Sequence, residues 1–431
     1  MLSLHTARQR RDTQGKPRIG LAIAGGGPIG SMYELGALRA LDEAIEGLDL
    51  NRMDCYVGVS SGAFLAAGLA NRMGTAEMCR IFITGTSDDA EFRPETFLRP
   101  NVGEYLRRAA TLPGLYADWL SRLMRNPRRA TRWSDLFLRF GGLVPTGIFD
   151  NEEVERFLRD IFSRRGRSND FRTLDADLFV VAVDLDSGEA VRFGEEGWDD
   201  IPISRAVQAS SALPGLYPPV DIRGHHFVDG ALRRTMHASV VLDHGIDLML
   251  GVNPFVPFNA KTAGRPPEGM AKLSEGGLPV VLSQTFRTLL QSRMRVGLEK
   301  YAERYPDVDQ VVFEPNEDDG EMFFTNVFSY SSRKRVTEHA FRSTLNDLRR
   351  RRDERRDDRR DYRNGEYDNR REYREDRRDD RQDYRAERRD DRQERRQDRR
   401  EDRQERREDR REYREFRQIL LVKTGFVHVA R

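Results

Sequence analysis

Apolar positions in the first part of the chain come in short runs that end at glycine, each followed by residues repeating at helical spacing. RIGLAIA (residues 18–24) is the pattern of a buried strand, and it stops at Gly25-Gly26-Gly27. Pro28 suits the first turn of a helix, where a missing N–H is no loss. Met32, Leu35, Leu38 and Leu41 then recur at helical spacing through Ile45. A second run, CYVGVS (55–60), leads into the small-residue stretch SGAFLAAGLANRM. Two strand–helix units about 35 residues apart predict an α/β fold with a parallel, helix-covered sheet.

The later pattern continues this theme. DLFVVAVDL (177–185) predicts a strand and SGEAVRFG a hairpin return, while ISRAVQASSA (203–212) has helical periodicity and stops at Pro214. VDIRGHHFVDG (220–230) alternates like a hairpin around Arg223-Gly224, and IDLMLGVNP (246–254) and VDQVVFEP (308–315) read as further strands. Residues 88–147 break the rhythm with an Arg-bearing, aromatic helical pattern. An insertion of that kind caps a site, lies on an anionic interface, or is a solvated excursion with Trp119, Trp133 and Phe137 in a satellite core.

Composition changes the picture at the C-terminal end. The 431 residues carry a net charge of +2. From Arg349 to Arg417, however, about 30 Arg face about 25 acids, leaving the remainder slightly acidic. Between Arg374 and Arg417 the arginines recur about every 3.6 residues, the α-helical repeat, with acids three and four positions away. No apolar stripe accompanies them, so a coiled coil is excluded. A long solvated helix, weakened at its start by Gly365, is the expectation, with disorder as the alternative. Interleaved acids cancel most of the field a phosphate backbone would feel, which argues against nucleic acid. The last segment, 418–431, is apolar and reads either as a returning strand or as a sticky end.

Cys55 and Cys79 are too few for a disulfide scaffold and have no metal-ligand partner at useful spacing. No run approaches the ~18 apolar residues of a membrane span, and the first residues lack the apolar core of a secretory signal. A cytoplasmic protein is the expectation, with peripheral membrane contact left open. The boundaries that follow are a basic N-terminal segment (1–17), a catalytic domain (18–348) containing the 88–147 insertion, the charged tail (349–417) and the apolar end (418–431).

The first glycine turn has two possible uses. Gly25, Gly27 and Gly30 match the spacing of a dinucleotide-binding turn. Such a fold needs an acid at the end of its second strand to hold the ribose. Here that strand runs instead into Gly58-Val59-Ser60-Ser61-Gly62, a G-x-S-x-G nucleophile elbow between strand and helix. The glycines remove side chains where strand and helix approach most closely, and the helix N-terminus favours negative charge beside Ser60. The N–H groups of Gly26, Gly27 and Ser61 could then converge on a developing oxyanion. Ser60 needs a base. His225, His226, His237, His244 and Asp229 all lie in the right third of the chain, and chemistry alone divides the choice between a histidine triad and an aspartate dyad.

Four blocks in register resemble the patatin-like phospholipase family: Gly25-Gly26-Gly27-Pro28-Ile29-Gly30, the elbow at Ser60, Ala209-Ser210-Ser211-Ala212-Leu213-Pro214, and Asp229-Gly230-Ala231. The resemblance spans roughly residues 18 to 255. It implies a three-layer α/β/α sandwich with a mostly parallel sheet, and a Ser–Asp dyad without histidine. By position, Ser60 is then the nucleophile and Asp229 the base, with Gly25, Gly26, Gly27 and Ser61 at the oxyanion hole. Gly58, Gly62, Gly30 and Gly230 are the motif glycines. The implied activity is hydrolysis of lipid or other carboxylic esters through an acyl-enzyme, with no metal or cofactor required. One departure is Ile29, which stands where the family usually carries Arg or Lys. The rival readings are a non-catalytic relative used for binding or scaffolding, and a nucleotide-dependent oxidoreductase, which the missing ribose-binding acid disfavours.

Overall fold

A computed structural model describes residues 2–7, 16–86, 92, 97–125, 145–260, 272–324 and 330–364. Its strands are β1 (Leu2–His5), β2 (Ile19–Ile23), β3 (Cys55–Val59), β4 (Asp177–Asp184), β5 (Ala190–Phe193), β6 (Val220–Ile222), β7 (His225–Asp229), β8 (Leu248–Val252) and β9 (Asp309–Phe313). The principal helices are α1 (Gly27–Ala44), α2 (Ser61–Ala70), α3 (Val102–Arg125), α4 (Glu152–Phe162), α5 (Ile203–Ser210), α6 (Gly277–Arg304) and α7 (Tyr330–Asn364). The chain divides into two compact units, Met1–Arg349 and Arg350–Arg431, and all these strands belong to the first.

The strands form one sheet in the order β1-β9-β8-β2-β3-β4-β7-β6, with β5 also on β4. β9, β8, β2, β3 and β4 are mutually parallel, as strand–helix–strand units require. Antiparallel strands flank them on both sides, so the sheet is mixed around a parallel centre. One of these flanking strands lies within the segment expected to be only basic: β1 pairs Leu2 with Phe313 and His5 with Gln310. Its four residues are too short for a periodicity to stand out.

Alternation along β2 produces the layers. Leu21 and Ile23 face a core shared with Leu35 of α1, Leu65 of α2, Leu158 of α4 and Val207 of α5. Ala22 and Ala24 face a second core containing Val240, Val241, and Met294 and Leu298 of α6. Because successive side chains of a strand point to opposite faces, a buried run must be covered twice, and the result is the three-layer α/β/α sandwich. The β6–β7 hairpin turns at Arg223 and Gly224, both at positive φ (59° and 81°), which suits a tight two-residue turn.

Part of the 88–147 insertion is α3. It turns Glu104 inward, where the carboxylate accepts from Thr146 N (3.0 Å) and Arg108 Nε (2.8 Å), while Val102 and Leu106 are exposed. Trp133, Phe137, the charged repeat beyond residue 364 and the apolar end lie outside the described residues. Among the described residues no helix is long and apolar enough to cross a membrane.

Candidate active site

Three strands meet at one point. β3 pairs in parallel with β4 up to Val59↔Val181, and β7 pairs antiparallel with β4 at Ala182↔Asp229. β5 occupies the other edge of β4 over residues 180–183, so β3 and β7 must share one edge. They run head-on along it, with their C-terminal ends at adjacent positions of β4. Ser60 follows the end of one and Asp229 is the end of the other.

The turn at Ser60 is tight. Its backbone takes φ 52° and ψ −123°, in a region that costs a non-glycine residue about 1–3 kcal/mol. A methyl on Gly58 would overlap Ala63, and one on Gly62 would overlap the carbonyl oxygens of Ala24 and Ile23. The α2 helix therefore starts in direct backbone contact with the end of β2. Ser210 holds the strained turn: its hydroxyl accepts from Ser60 N (2.8 Å) and donates to Val181 O (2.6 Å). Two residues on, Ala212 O accepts from Asp229 N (3.0 Å). The Ala209–Pro214 block is thus a clamp on both strand ends, a role its sequence alone did not reveal.

The Asp229 carboxyl is buried, within hydrogen-bonding reach of the Ser60 hydroxyl, and accepts from Ala231 N at 2.8 Å. Burial pushes its pKa up to about 6, against the opposing pull of the Ser60 and Ala231 hydrogen bonds. A methyl on Gly230 would overlap Val181 O, so the turn after Asp229 can follow the sheet only with glycine there.

The glycine-rich turn faces the same point. A Cβ on Gly25 would lie 3.0 Å from Ser60 Cβ and 3.2 Å from Ala231 Cβ. The Gly25 N–H, however, donates to Thr235 O (3.2 Å) and so is taken. Its part in this turn is close backbone packing against Ser60 and Ala231. Among the described residues the N–H groups of Gly26, Gly27 and Ser61 donate to no protein acceptor. Gly30 makes room for Pro254, and Ile29 is half-buried against the apolar core, so no cation stands at that place.

The histidines are engaged elsewhere. His225 Nδ1 meets Asp184 (2.8 Å), His226 sits 3.7 Å from Asp186, and His244 Nδ1 contacts Val240 O (2.5 Å). His237 is buried with Nε2 3.2 Å from Gly230 O, and burial pushes its pKa down to about 3. One group at the site was missed. Glu34 of α1 is fully buried with its carboxyl 3.3 Å from Ser61 Oγ, and burial holds its pKa well above the carboxylate range. The signal was an acid among the apolar positions Met32, Leu35 and Leu38 on the buried side of a helix.

An α/β/α sandwich with a strained serine at a strand–helix elbow is an acyl-hydrolase architecture. The patatin-like phospholipase profile matches residues 21–242, and the chain belongs to that family of lipid acyl hydrolases. Among solved structures it is similar to VipD from Legionella pneumophila, with 14% identity over 80% of this chain and 69% of that one, at a TM-score of 0.35. It is also similar to the type III effector protein ExoU, with 17% identity over 78% of this chain and 53% of that one, at a TM-score of 0.35. Full-length ExoU in complex with SpcU from Pseudomonas aeruginosa gives 15% identity over 68% and 54%, at a TM-score of 0.26. The chain thus spans about half the length of ExoU.

Proposed function

We propose that the protein is a serine acyl hydrolase of the phospholipase A type, cleaving carboxylic esters of lipids through an acyl-enzyme on a Ser60–Asp229 dyad. The observation that carries this reading is the Ser60 hydroxyl, on a strained elbow, within reach of a buried carboxyl whose pKa is raised to about 6. Such a carboxyl is still ionised at neutral pH yet is a stronger base than an ordinary aspartate.

In the first step Oγ of Ser60 attacks the ester carbonyl carbon while Asp229 takes the hydroxyl proton. The N–H groups of Gly26, Gly27 and Ser61 receive the oxyanion, and the N-terminus of α2 adds a favourable dipole. The C–O bond to the alcohol breaks as Asp229 returns the proton to the leaving oxygen. Water then adds to the acyl-enzyme, again giving a proton to Asp229. Collapse of that intermediate releases the fatty acid and restores the Ser60 hydroxyl. Phe64, one helical turn from Ser60, stacks with Phe157 (6.5 Å) and meets Phe82 edge-on (5.7 Å), an apolar wall suited to an acyl chain.

The test is covalent labelling by a fluorophosphonate, with the modified residue mapped by mass spectrometry. Modification at Ser60 that is lost in Asp229→Asn is the expected result. A protein that stays unmodified both in buffer and with lipid vesicles present would be a binding relative rather than a hydrolase.

A further inference from the structure

Helix α6 is apolar on two opposite sides. Arg287, Leu290, Gln291, Met294 and Leu298 are buried and define its inner side. At about 100° per residue, Leu278, Val281, Leu282, Phe286, Leu289 and Val296 fall on the opposite side. All six are exposed, from 43% at Val281 to 68% at Leu278. The stripe from Leu278 to Val296 is about 27 Å long. A helix that is apolar all round ordinarily has cover on both sides, and a contiguous exposed apolar surface marks an interaction site.

Charge identifies the cover. From Gly277 to Leu298 the sequence holds no Asp or Glu and three arginines, Arg287, Arg293 and Arg295. Arg287 is buried, and Arg295 pairs with Glu317 (2.7 Å). The exposed Arg293 donates to the carbonyls of Leu232 (2.9 Å) and Arg233 and, among the described residues, meets no carboxylate. The stripe itself, Leu278 to Val296, carries no acid and is edged by the exposed Arg293, and an apolar ridge so edged complements an anionic lipid surface. The helix also touches the candidate site. Arg293 grips the turn just after Asp229, and Leu290 O accepts from Thr235 (3.3 Å), whose own carbonyl holds Gly25 N.

We infer that α6 is the face on which the protein lies against an anionic bilayer, bringing the Ser60–Asp229 site to the lipid; this rests on the hydrolase reading above. The full chain and a Phe286→Asp/Leu289→Asp double variant are floated with vesicles of phosphatidylcholine, with and without phosphatidylserine. Turnover of a soluble short-chain nitrophenyl ester is read on both proteins. The unsubstituted protein should float with the anionic vesicles, less so at high salt. The double variant should lose about tenfold or more of that partitioning, with soluble-ester turnover unchanged. Equal flotation of the two proteins overturns the proposal, as does a loss seen only in Leu106→Asp of α3. A dimer that the double substitution dissolves, with no flotation of the unsubstituted chain, also overturns it and assigns the stripe to a second copy. Flotation lost in the variant, with neither protein turning over the soluble ester, sustains the docking face and sinks the hydrolase reading alone.

Discussion

The carboxyl of Glu34 faces the hydroxyl of Ser61 at 3.3 Å, with Glu34 fully buried and Ser61 half-buried. Burial raises the Glu34 pKa well above the carboxylate range, which favours the neutral form of this acid. Neutrality matters, because the same carboxyl lies close to Gly26, a proposed oxyanion donor. A fixed negative charge there would oppose the developing one. Glu34→Gln preserves shape, neutrality and a hydrogen bond to Ser61, and should keep kcat/KM within about threefold. Glu34→Ala leaves a void and an unpartnered hydroxyl, and should cost about 2 kcal/mol of stability. Ester kinetics and thermal melts on the two variants check this. A loss beyond about a hundredfold in the Gln form would mean that the Glu34 proton itself takes part.

As the proposed base, Asp229 must be ionised to act. Its pKa is pushed up to about 6 by burial, so kcat/KM on a soluble ester should rise through about pH 6 and level off above it. His237 titrates far lower, at about 3, and His226 is exposed beside Asp186. Neither therefore sets that limb. His226→Ala should leave both the plateau and the midpoint unchanged. A limb that moves in the His226 variant would restore histidine as the base.

The same carboxyl makes a stability prediction of definite sign. Asp229 has a folded pKa of about 6 against an ordinary 3.8, so the folded state holds this proton more tightly than the unfolded chain does. Below the lower value both states are protonated and nothing is gained or lost. Between the two the unfolded chain ionises first, and above about pH 6 the folded state carries the full penalty of a buried charge, about 3 kcal/mol. Asp229→Asn removes that penalty and keeps an acceptor for Ala231 N. It should lose nearly all turnover yet unfold at higher denaturant than the unsubstituted protein near pH 8, with the difference vanishing near pH 4. Denaturant titrations at the two pH values decide it.

Much of the sandwich was legible because buried parallel strands and their helices leave strong patterns. RIGLAIA, CYVGVS and DLFVVAVDL are apolar runs that stop at turn residues, and each became a strand of the central sheet. β1 was not legible, since four residues ahead of a charged stretch carry no period. The site was legible only in part. Gly58, Ser60 and Gly62 are close in sequence, and local sterics alone point to an elbow. The meeting of Ser60 with Asp229 depends on β7 running head-on into β3, and no local pattern encodes that. Residue chemistry left the histidines open, and only the family resemblance chose Asp229. The clamp from Ser210 and Ala212, and the loss of the Gly25 N–H to Thr235, are tertiary hydrogen bonds with no sequence signature.

Two single substitutions at the elbow should move stability in opposite directions. Ser60 is held at φ 52°, where glycine is at ease and other residues are strained. Ser60→Gly should therefore relieve part of that strain and raise stability by about 1 kcal/mol, offset in part by the greater freedom of glycine in the unfolded chain. Ser60→Ala removes the same hydroxyl but keeps the Cβ, so it should gain none of that relief. Gly62 presents the reverse case. A Cβ there would meet the carbonyls of Ala24 and Ile23, backbone atoms at the end of β2 that cannot swing aside as a side chain can. Gly62→Ala must push α2 away from β2, and should cost about 3 kcal/mol or more. It should also lower turnover, because Ser61 N, a proposed oxyanion donor, begins that helix. Denaturant midpoints of the three variants give the order, Ser60→Gly above Ser60→Ala and Gly62→Ala far below both. An Ala at position 62 that leaves stability intact would mean that β2 and α2 do not meet backbone to backbone.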